Sequence, residues 1–162
     1  MRESGRRSLR GVAALLIAVG LVSGCSSGER PRDITLTLIR HAESEANVAQ
    51  IIDTLVPGPP LTAEGMRQAV EGANELSVND YDGIYASQLL RARQSAEPLS
   101  SALARQVEVL PGLNEIDAGW FEYRSSTLAN TTYLVAPMDW LNGDRGNAIP
   151  GSVNGNEFNE HF

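Results

Sequence analysis

The chain has no lysine, a single cysteine and only two histidines among its 162 residues. One cysteine has no partner for a disulfide within the chain. Two histidines and one cysteine form no cluster of the kind that binds zinc, so the sequence predicts neither a metal nor another cofactor. All 13 basic residues are arginine. Any site for an anion must therefore be built from nearby guanidinium groups.

An excess of basic charge is also missing. The chain carries 20 acidic residues against 13 basic ones, a formal net charge of -7. Four of the arginines lie within the first ten residues, so the rest of the chain is more acidic than the whole. A surface of this charge repels phosphate backbones, which argues against a nucleic-acid-binding protein.

Long apolar runs are absent as well. The run Val12–Val22 has 11 residues, whereas a membrane-spanning helix needs about 20. It follows a basic start and has the length of a signal-peptide core. Val22-Ser23-Gly24-Cys25 comes next and resembles a bacterial lipobox, in which the cysteine becomes the lipidated first residue of the mature protein.

The sequence therefore predicts a lipoprotein signal peptide over residues 1–24, lipidation at Cys25 and a linker over residues 25–33. The protein would be exported and anchored in the cell membrane by lipid, facing the extracytoplasmic side. The alternative is that Cys25 is an ordinary residue after an ordinary signal. Residues 34–162, about 130 in number, have the length of one domain and contain no internal repeat.

The domain alternates between strand-like and helix-like patterns. Ile34–Ile39 mixes apolar residues with threonine and predicts a central strand. The pattern then predicts a helix over 63–76, a strand over 83–86, a helix over 89–104 and a strand over 107–110. This order is typical of an α/β fold with a mostly parallel sheet covered by helices. Residues 155–162 have the pattern of a helix that has just begun.

The predicted strand Ile34–Ile39 runs directly into Arg40 and His41. Strand ends point into the crevice where α/β proteins bind ligands, so this pair is a candidate for chemistry. The run Arg40 to Asn47, RHAESEAN, resembles the first motif of the histidine phosphatase (phosphoglycerate mutase-like) superfamily. Ala42 replaces the usual glycine, which would crowd the loop if that position needs a positive φ.

Three further segments resemble that superfamily in the same order. Residues 60–69 match its second motif. In its third, Ser87–Ala96, Arg91 aligns with the phosphate-binding arginine, and Gln88 and Ser95 replace aspartate and threonine. In its fourth, Leu113–Glu122, Glu115 aligns with the proton donor. Asp117 is the second candidate for that role.

The resemblance implies a fold and a mechanism. The fold is a three-layer αβα structure of the phosphoglycerate mutase type. His41 attacks the phosphoryl group while Arg40, Arg91 and Asn47 bind its oxygens, and Glu115 protonates the leaving oxygen. No metal is needed. The substrate would be a phosphorylated small molecule or a phosphoprotein.

One part of the superfamily's pocket is not found in the sequence. Members carry a second histidine after a downstream apolar strand, and His161, the other histidine here, follows no such strand. We therefore expect a fold that is incomplete at its C-terminus and an activity that is impaired. The alternative function is a non-catalytic surface lipoprotein that binds an anionic ligand or a partner protein. In that case Arg40, Arg91 and Glu115 would form a structural ion-pair network.

Overall fold

The computed structural model describes residues 33–161. The predicted signal peptide, Cys25 and most of the predicted linker lie outside these residues. The chain divides at Thr37 into two units. In the first unit, residues 33–37 are exposed and have no regular secondary structure. The features below belong to the second unit, which begins at Leu38. No helix in the described part of the chain is long and apolar enough to cross a membrane.

The described residues contain six α-helices and two strands. The helices are α1 Glu45–Ala49, α2 Ala63–Leu76, α3 Leu90–Leu103, α4 Ser126–Tyr133, α5 Val135–Leu141 and α6 Gly155–His161, and the strands are β1 Ile84–Ala86 and β2 Val107–Val109. Short 3₁₀ turns at Pro111–Leu113 and Gly119–Phe121 follow β2. The helices predicted over 63–76 and 89–104 and the strands predicted over 83–86 and 107–110 are all confirmed, each within one residue.

Strands β1 and β2 pair in parallel, with Ile84 opposite Val107 and Ala86 opposite Val109. Helix α3 connects them and packs against both strands and against α2. A core of Ala73, Ile84 and Leu99 fills the space between these elements. The predicted α/β class with parallel pairing is therefore confirmed, in a sheet that has two strands within residues 33–161.

A second apolar core lies under the later helices. It is formed by Ile52, Ala118, Ala129, Tyr133, Ala136 and Ile149. The Tyr133 hydroxyl donates a hydrogen bond of 2.9 Å to the Ile116 carbonyl. This core fixes the backbone around residue 52 and around residues 116–121, and both segments adjoin the residues of the candidate site.

The central strand predicted over Ile34–Ile39 is wrong. These residues have no strand structure, and Leu36 and Leu38 are 76% and 89% exposed. A strand is stable only when its backbone groups pair with a neighbouring strand, and β propensity cannot replace that pairing. The ladder within residues 33–161 joins β1 to β2.

Candidate active site

His41 lies at the centre of the site, and its two ring nitrogens have different partners. Nδ1 is 2.7 Å from the Ala42 carbonyl oxygen. A carbonyl only accepts hydrogen bonds, so Nδ1 carries the proton and Nε2 keeps a free electron pair. The Nε group of Arg91 donates to that pair at 3.1 Å. Both contacts favour one neutral tautomer of the ring.

The surroundings of His41 also favour its neutral form. Burial lowers its pKa below the usual 6.5, and the charges of Arg91 and Arg40 lower it further. The bond to the Ala42 carbonyl and the charge of Glu115 act in the opposite direction, and the net shift is downward. A neutral imidazole with Nε2 unprotonated is a nucleophile at neutral pH.

Arg91 occupies the first turn of α3 and is 4% exposed. The start of the helix is fixed by a 2.7 Å hydrogen bond from the Leu90 amide to the Pro57 carbonyl. Ser95, one turn later, donates to the Arg91 carbonyl at 2.8 Å and accepts from the Ala42 amide at 3.0 Å. Helix α3 therefore holds both the arginine and the loop that carries His41. Arg93, two residues on, is exposed.

The loop after His41 is held by the second motif. Gln68 of α2 accepts a 3.0 Å hydrogen bond from the Glu43 amide, and the Thr62 amide donates to the Glu43 carbonyl at 3.0 Å. Gly65 lies directly against the Glu43 backbone, so that a Cβ there would collide with the Glu43 carbonyl. Residues 61–68, which have the pattern Leu-Thr-x-x-Gly-x-x-Gln, thus form the surface against which the His41 loop packs.

Two expectations about this loop can be compared with its geometry. Ala42 is not among the described residues with a positive φ, so alanine causes no backbone strain there. The Oδ1 atom of Asn47 accepts from both the amide and the hydroxyl of Ser44, at 2.9 and 3.0 Å. Asn47 therefore takes part in the capping box of α1. Because Oδ1 is engaged in this way, the predicted contact with phosphate would come from the side-chain amide nitrogen of Asn47. That role stays a prediction.

Arg40 and Glu115 are both exposed, and each acts on His41 through its charge. Among the described residues, neither forms a hydrogen bond to the ring.

The position of Glu115 is set by its neighbour Asn114. Asn114 and Gln88 exchange two hydrogen bonds of 2.9 Å. The backbone N–H of Gln88 donates to Asn114 Oδ1, and Asn114 Nδ2 donates to Gln88 Oε1. The glutamine that replaces the usual aspartate therefore ties the Glu115 loop to the start of α3.

Asp117 and His161, the other two candidate residues, form no hydrogen bond with the His41 ring among the described residues. Asp117 is exposed and accepts a 2.7 Å hydrogen bond from the Gly119 amide, which makes it a turn residue. His161 is exposed on the last turn of α6, as its sequence context predicted. Among residues 33–161 there is no group of three His, Cys, Asp or Glu side chains that could hold a metal ion.

Asp53, Thr54 and Glu122 were not assigned a role from the sequence. Glu122 accepts from both the amide and the hydroxyl of Thr54, and the Thr54 hydroxyl accepts from the Ala118 amide at 3.0 Å. Burial raises the pKa of Asp53 and the charge of Glu122 raises it further, whereas the charge of Arg91 and a hydrogen bond from the Leu55 backbone lower it. Glu122 is the last residue of the fourth motif, but the motif assigned it no function. No local sequence pattern indicated Asp53.

The structure thus brings His41 and Arg91 into direct contact and places Arg40 and Glu115 within electrostatic reach of the ring. Asn47 takes part in the capping box of α1 with Ser44, and Cys25 lies outside the described residues. The assignment of His41 as nucleophile, Glu115 as acid and Arg40, Asn47 and Arg91 as phosphate ligands stays a prediction.

Comparison with known proteins adds an independent finding. A family model described as the histidine phosphatase superfamily, branch 1, matches residues 36–161. A PE-PGRS family protein of Mycobacterium tuberculosis is 44% identical over 83% of this chain and 24% of its own length. A probable phosphoglycerate mutase, GpmB, of Proteus mirabilis is 34% identical over 70% of this chain and 52% of its own.

Solved structures of phosphatases have a similar fold. The crystal structure of a putative alpha-ribazole-5'-P phosphatase from Escherichia coli superposes with a TM-score of 0.58 and 30% identity, covering 76% of this chain and 60% of that one. A mycobacterial glucosyl-3-phosphoglycerate phosphatase, at 24% identity and a TM-score of 0.56, shares the fold over 70% of this chain and 53% of its own. The chain spans about half the length of most of the curated relatives it matches.

Proposed function

The chain belongs to the histidine phosphatase superfamily, branch 1, and from that premise we propose that it hydrolyses phosphate monoesters at the site around His41. The observation that carries this proposal is the state of the ring. The lowered pKa favours the neutral form of His41, its Nδ1 group donates to the Ala42 carbonyl, and its Nε2 electron pair faces the buried guanidinium of Arg91. A nucleophile next to an anion-binding cation suits phosphoryl transfer.

In the proposed reaction, the Nε2 electron pair attacks phosphorus. The new N–P bond forms as the bond from phosphorus to the ester oxygen breaks, and Glu115, in its protonated form, gives its proton to that oxygen. Water then attacks the phosphohistidine and gives a proton to Glu115, and the N–P bond breaks to release inorganic phosphate. Arg40 and Arg91 balance the charge that builds up on the phosphoryl oxygens.

Turnover of p-nitrophenyl phosphate by three forms of the chain tests this proposal. His41→Asn should lower kcat/KM by roughly 10³-fold or more, because the nucleophile is lost. His161→Asn is the matched control, since His161 is exposed on α6, and it should retain the activity. Equal activity in His41→Asn and the unchanged chain would contradict the proposal. Inorganic phosphate binding without turnover of any ester would favour the anion-binding lipoprotein instead.

The proposed substrate class is a phosphorylated small molecule. It is supported by relatives named as phosphoglycerate mutases and adenosylcobalamin/alpha-ribazole phosphatases. A phosphoprotein is the other candidate.

We also propose that the protein is exported and lipid-anchored through Cys25, on the strength of the basic start, the short apolar run and the Val-Ser-Gly-Cys motif. Cys25→Ser should move the protein from the membrane fraction to the soluble fraction of the expressing bacterium. Equal membrane association of the unchanged chain and Cys25→Ser would contradict the anchor.

A further inference from the structure

Two buried polar atoms of charged side chains lack hydrogen-bond partners among the described residues. They are Oδ1 of Asp53 and Nη1 of Arg91. Nearly all buried polar groups in proteins are paired, and groups that carry charge are the most costly to leave unpaired. Two such atoms of opposite charge in one site therefore need an explanation.

The two side chains belong to the same neighbourhood. The charge of Arg91 lowers the pKa of Asp53, which shows that the guanidinium lies within electrostatic reach of the carboxyl group. The loop after Asp53 runs along the arginine: Pro57 accepts a hydrogen bond from the Leu90 amide at 2.7 Å, and a Cβ on Gly58 would lie 3.0 Å from Arg91 Nη1.

The backbone next to Asp53 is firmly held. Glu122 accepts two hydrogen bonds from Thr54, and the Thr54 hydroxyl accepts one from the Ala118 amide. Thr54 is buried as well. The backbone that carries the Asp53 carboxyl group is thus held through Thr54, and the carboxyl group also accepts a hydrogen bond from the Leu55 backbone.

The third element of the inference is the contact between Arg91 and the nucleophile. Arg91 Nε donates to His41 Nε2 at 3.1 Å, and this electron pair is the one that must attack phosphorus. A nitrogen that accepts a hydrogen bond from a guanidinium is not available for attack. The arginine therefore has to leave Nε2 before the reaction, and its charged group needs a new set of acceptors.

We propose that Asp53 is a positioning residue for Arg91, which receives the Nη1 group when a phosphoryl group draws the guanidinium away from His41. The remaining guanidinium N–H groups then bind phosphoryl oxygens, and Nε2 becomes free to attack. Both unpaired atoms gain a partner in this arrangement, and the planar guanidinium is well suited to bridge two anions. The nucleophile would be uncovered only when phosphate is present.

This inference rests on the proposed role of His41, but it can be tested by binding alone. The probe is inorganic phosphate, titrated into the unchanged chain, Asp53→Asn, Arg91→Gln and the double variant by calorimetry. A carboxylate that is merely a neighbour of the anion repels it, so its removal would tighten binding. A carboxylate that positions Arg91 has the opposite effect, and its removal should weaken phosphate binding about tenfold or more.

Asp53→Asn keeps the size of the side chain, so the fold should be retained, and Asp80→Asn, at an exposed position in the loop before β1, is the matched control. We expect Asp53→Asn to weaken binding and the control to leave it unchanged. We also expect the double variant to bind no more weakly than Arg91→Gln, because Asp53 acts through Arg91. Unchanged or tighter binding by Asp53→Asn, additive effects in the double variant, or no phosphate binding by the unchanged chain would each overturn the inference.

Failure of the proposed function would look different. In that case p-nitrophenyl phosphate is not hydrolysed, while the phosphate affinities still follow the order expected for Asp53. An NMR titration supplies a second readout: phosphate should shift the His41 Nε2 resonance in the unchanged chain, as Arg91 leaves, and should shift it less in Asp53→Asn. Equal shifts in the two forms would overturn the inference.

Discussion

At the residue scale, the protonation of His41 decides whether the site has a nucleophile. Burial lowers the pKa of His41 below 6.5, and Arg91 and Arg40 add to the effect. We therefore expect the limb of the kcat/KM profile that His41 controls to fall as the pH drops through this lowered pKa. The unfolded chain takes up this proton first, so the stability contributed by His41 is also lost as the pH falls below 6.5.

An NMR titration of the His41 ring measures this pKa directly. Arg40→Gln removes a positive charge that lowers the pKa, so the titration midpoint should move to higher pH. Arg67→Gln is the control, because Arg67 pairs with Glu64 on the exposed face of α2 and should leave the midpoint unchanged. A midpoint at or above 6.5 in the unchanged chain would contradict the neutral nucleophile.

Some residues of the site could be found from the sequence, and others could not. The motif around His41 and the arginine of the third motif predicted two side chains that the structure joins by a hydrogen bond. Asp53 lies in a loop without regular structure, where no periodicity marks a residue that faces inward. Its importance depends on a tertiary neighbour, Arg91, 38 positions further along the chain.

At the element scale, the two glycines of α2 have different environments. A Cβ on Gly65 would collide with the Glu43 carbonyl, whereas one on Gly72 would meet nothing within 4 Å. Gly65→Ala should therefore lower the free energy of unfolding by about 1–3 kcal/mol, because the His41 loop must shift. Gly72→Ala should raise it by up to about 1 kcal/mol, because alanine is the better helix former.

Urea unfolding of the two variants measures both changes. The pair is matched in helix and in substitution, so the difference reports the loop contact alone. Equal stability of the two variants would show that α2 does not pack against the loop after His41.

The elements that the sequence predicted well are those whose signals are local. Helix α2 has a threonine cap and an apolar face, and its bounds matched the prediction at both ends. The strand predicted over Ile34–Ile39 had an equally strong composition and still failed. Strand formation depends on pairing partners distant in the sequence, and composition contains no information about whether they are in place.

At the scale of the whole molecule, the exposed segment 34–39 makes a prediction about stability. Leu38 is 89% exposed, and Leu99 in the core between α3 and β1 is 8% exposed. Leu38→Lys should change the free energy of unfolding by less than about 0.5 kcal/mol. Leu99→Ala should lower it by about 2–5 kcal/mol. A large loss of stability in Leu38→Lys, measured by urea unfolding, would show that the segment is buried as a strand in solution.

The chain as a whole combines a recognisable site with a small sheet. Residues 36–161 match the family model, and the hydrogen bonds that hold the His41 loop come from α2, α3 and Thr62. The fold class followed from the order of the patterns, because parallel strands need a helical connection. The extent of the sheet did not follow, because it depends on contacts between distant segments.

The central claim is that the Nε2 nitrogen of His41 accepts the phosphoryl group. The most direct measurement is rapid mixing of the chain with ³²P-labelled p-nitrophenyl phosphate and quenching in base, in which phosphohistidine is stable, followed by peptide mapping. The label should appear on the peptide that contains His41 and should be absent from His41→Asn. Turnover without any label on that peptide, or the same label in His41→Asn, would contradict the account.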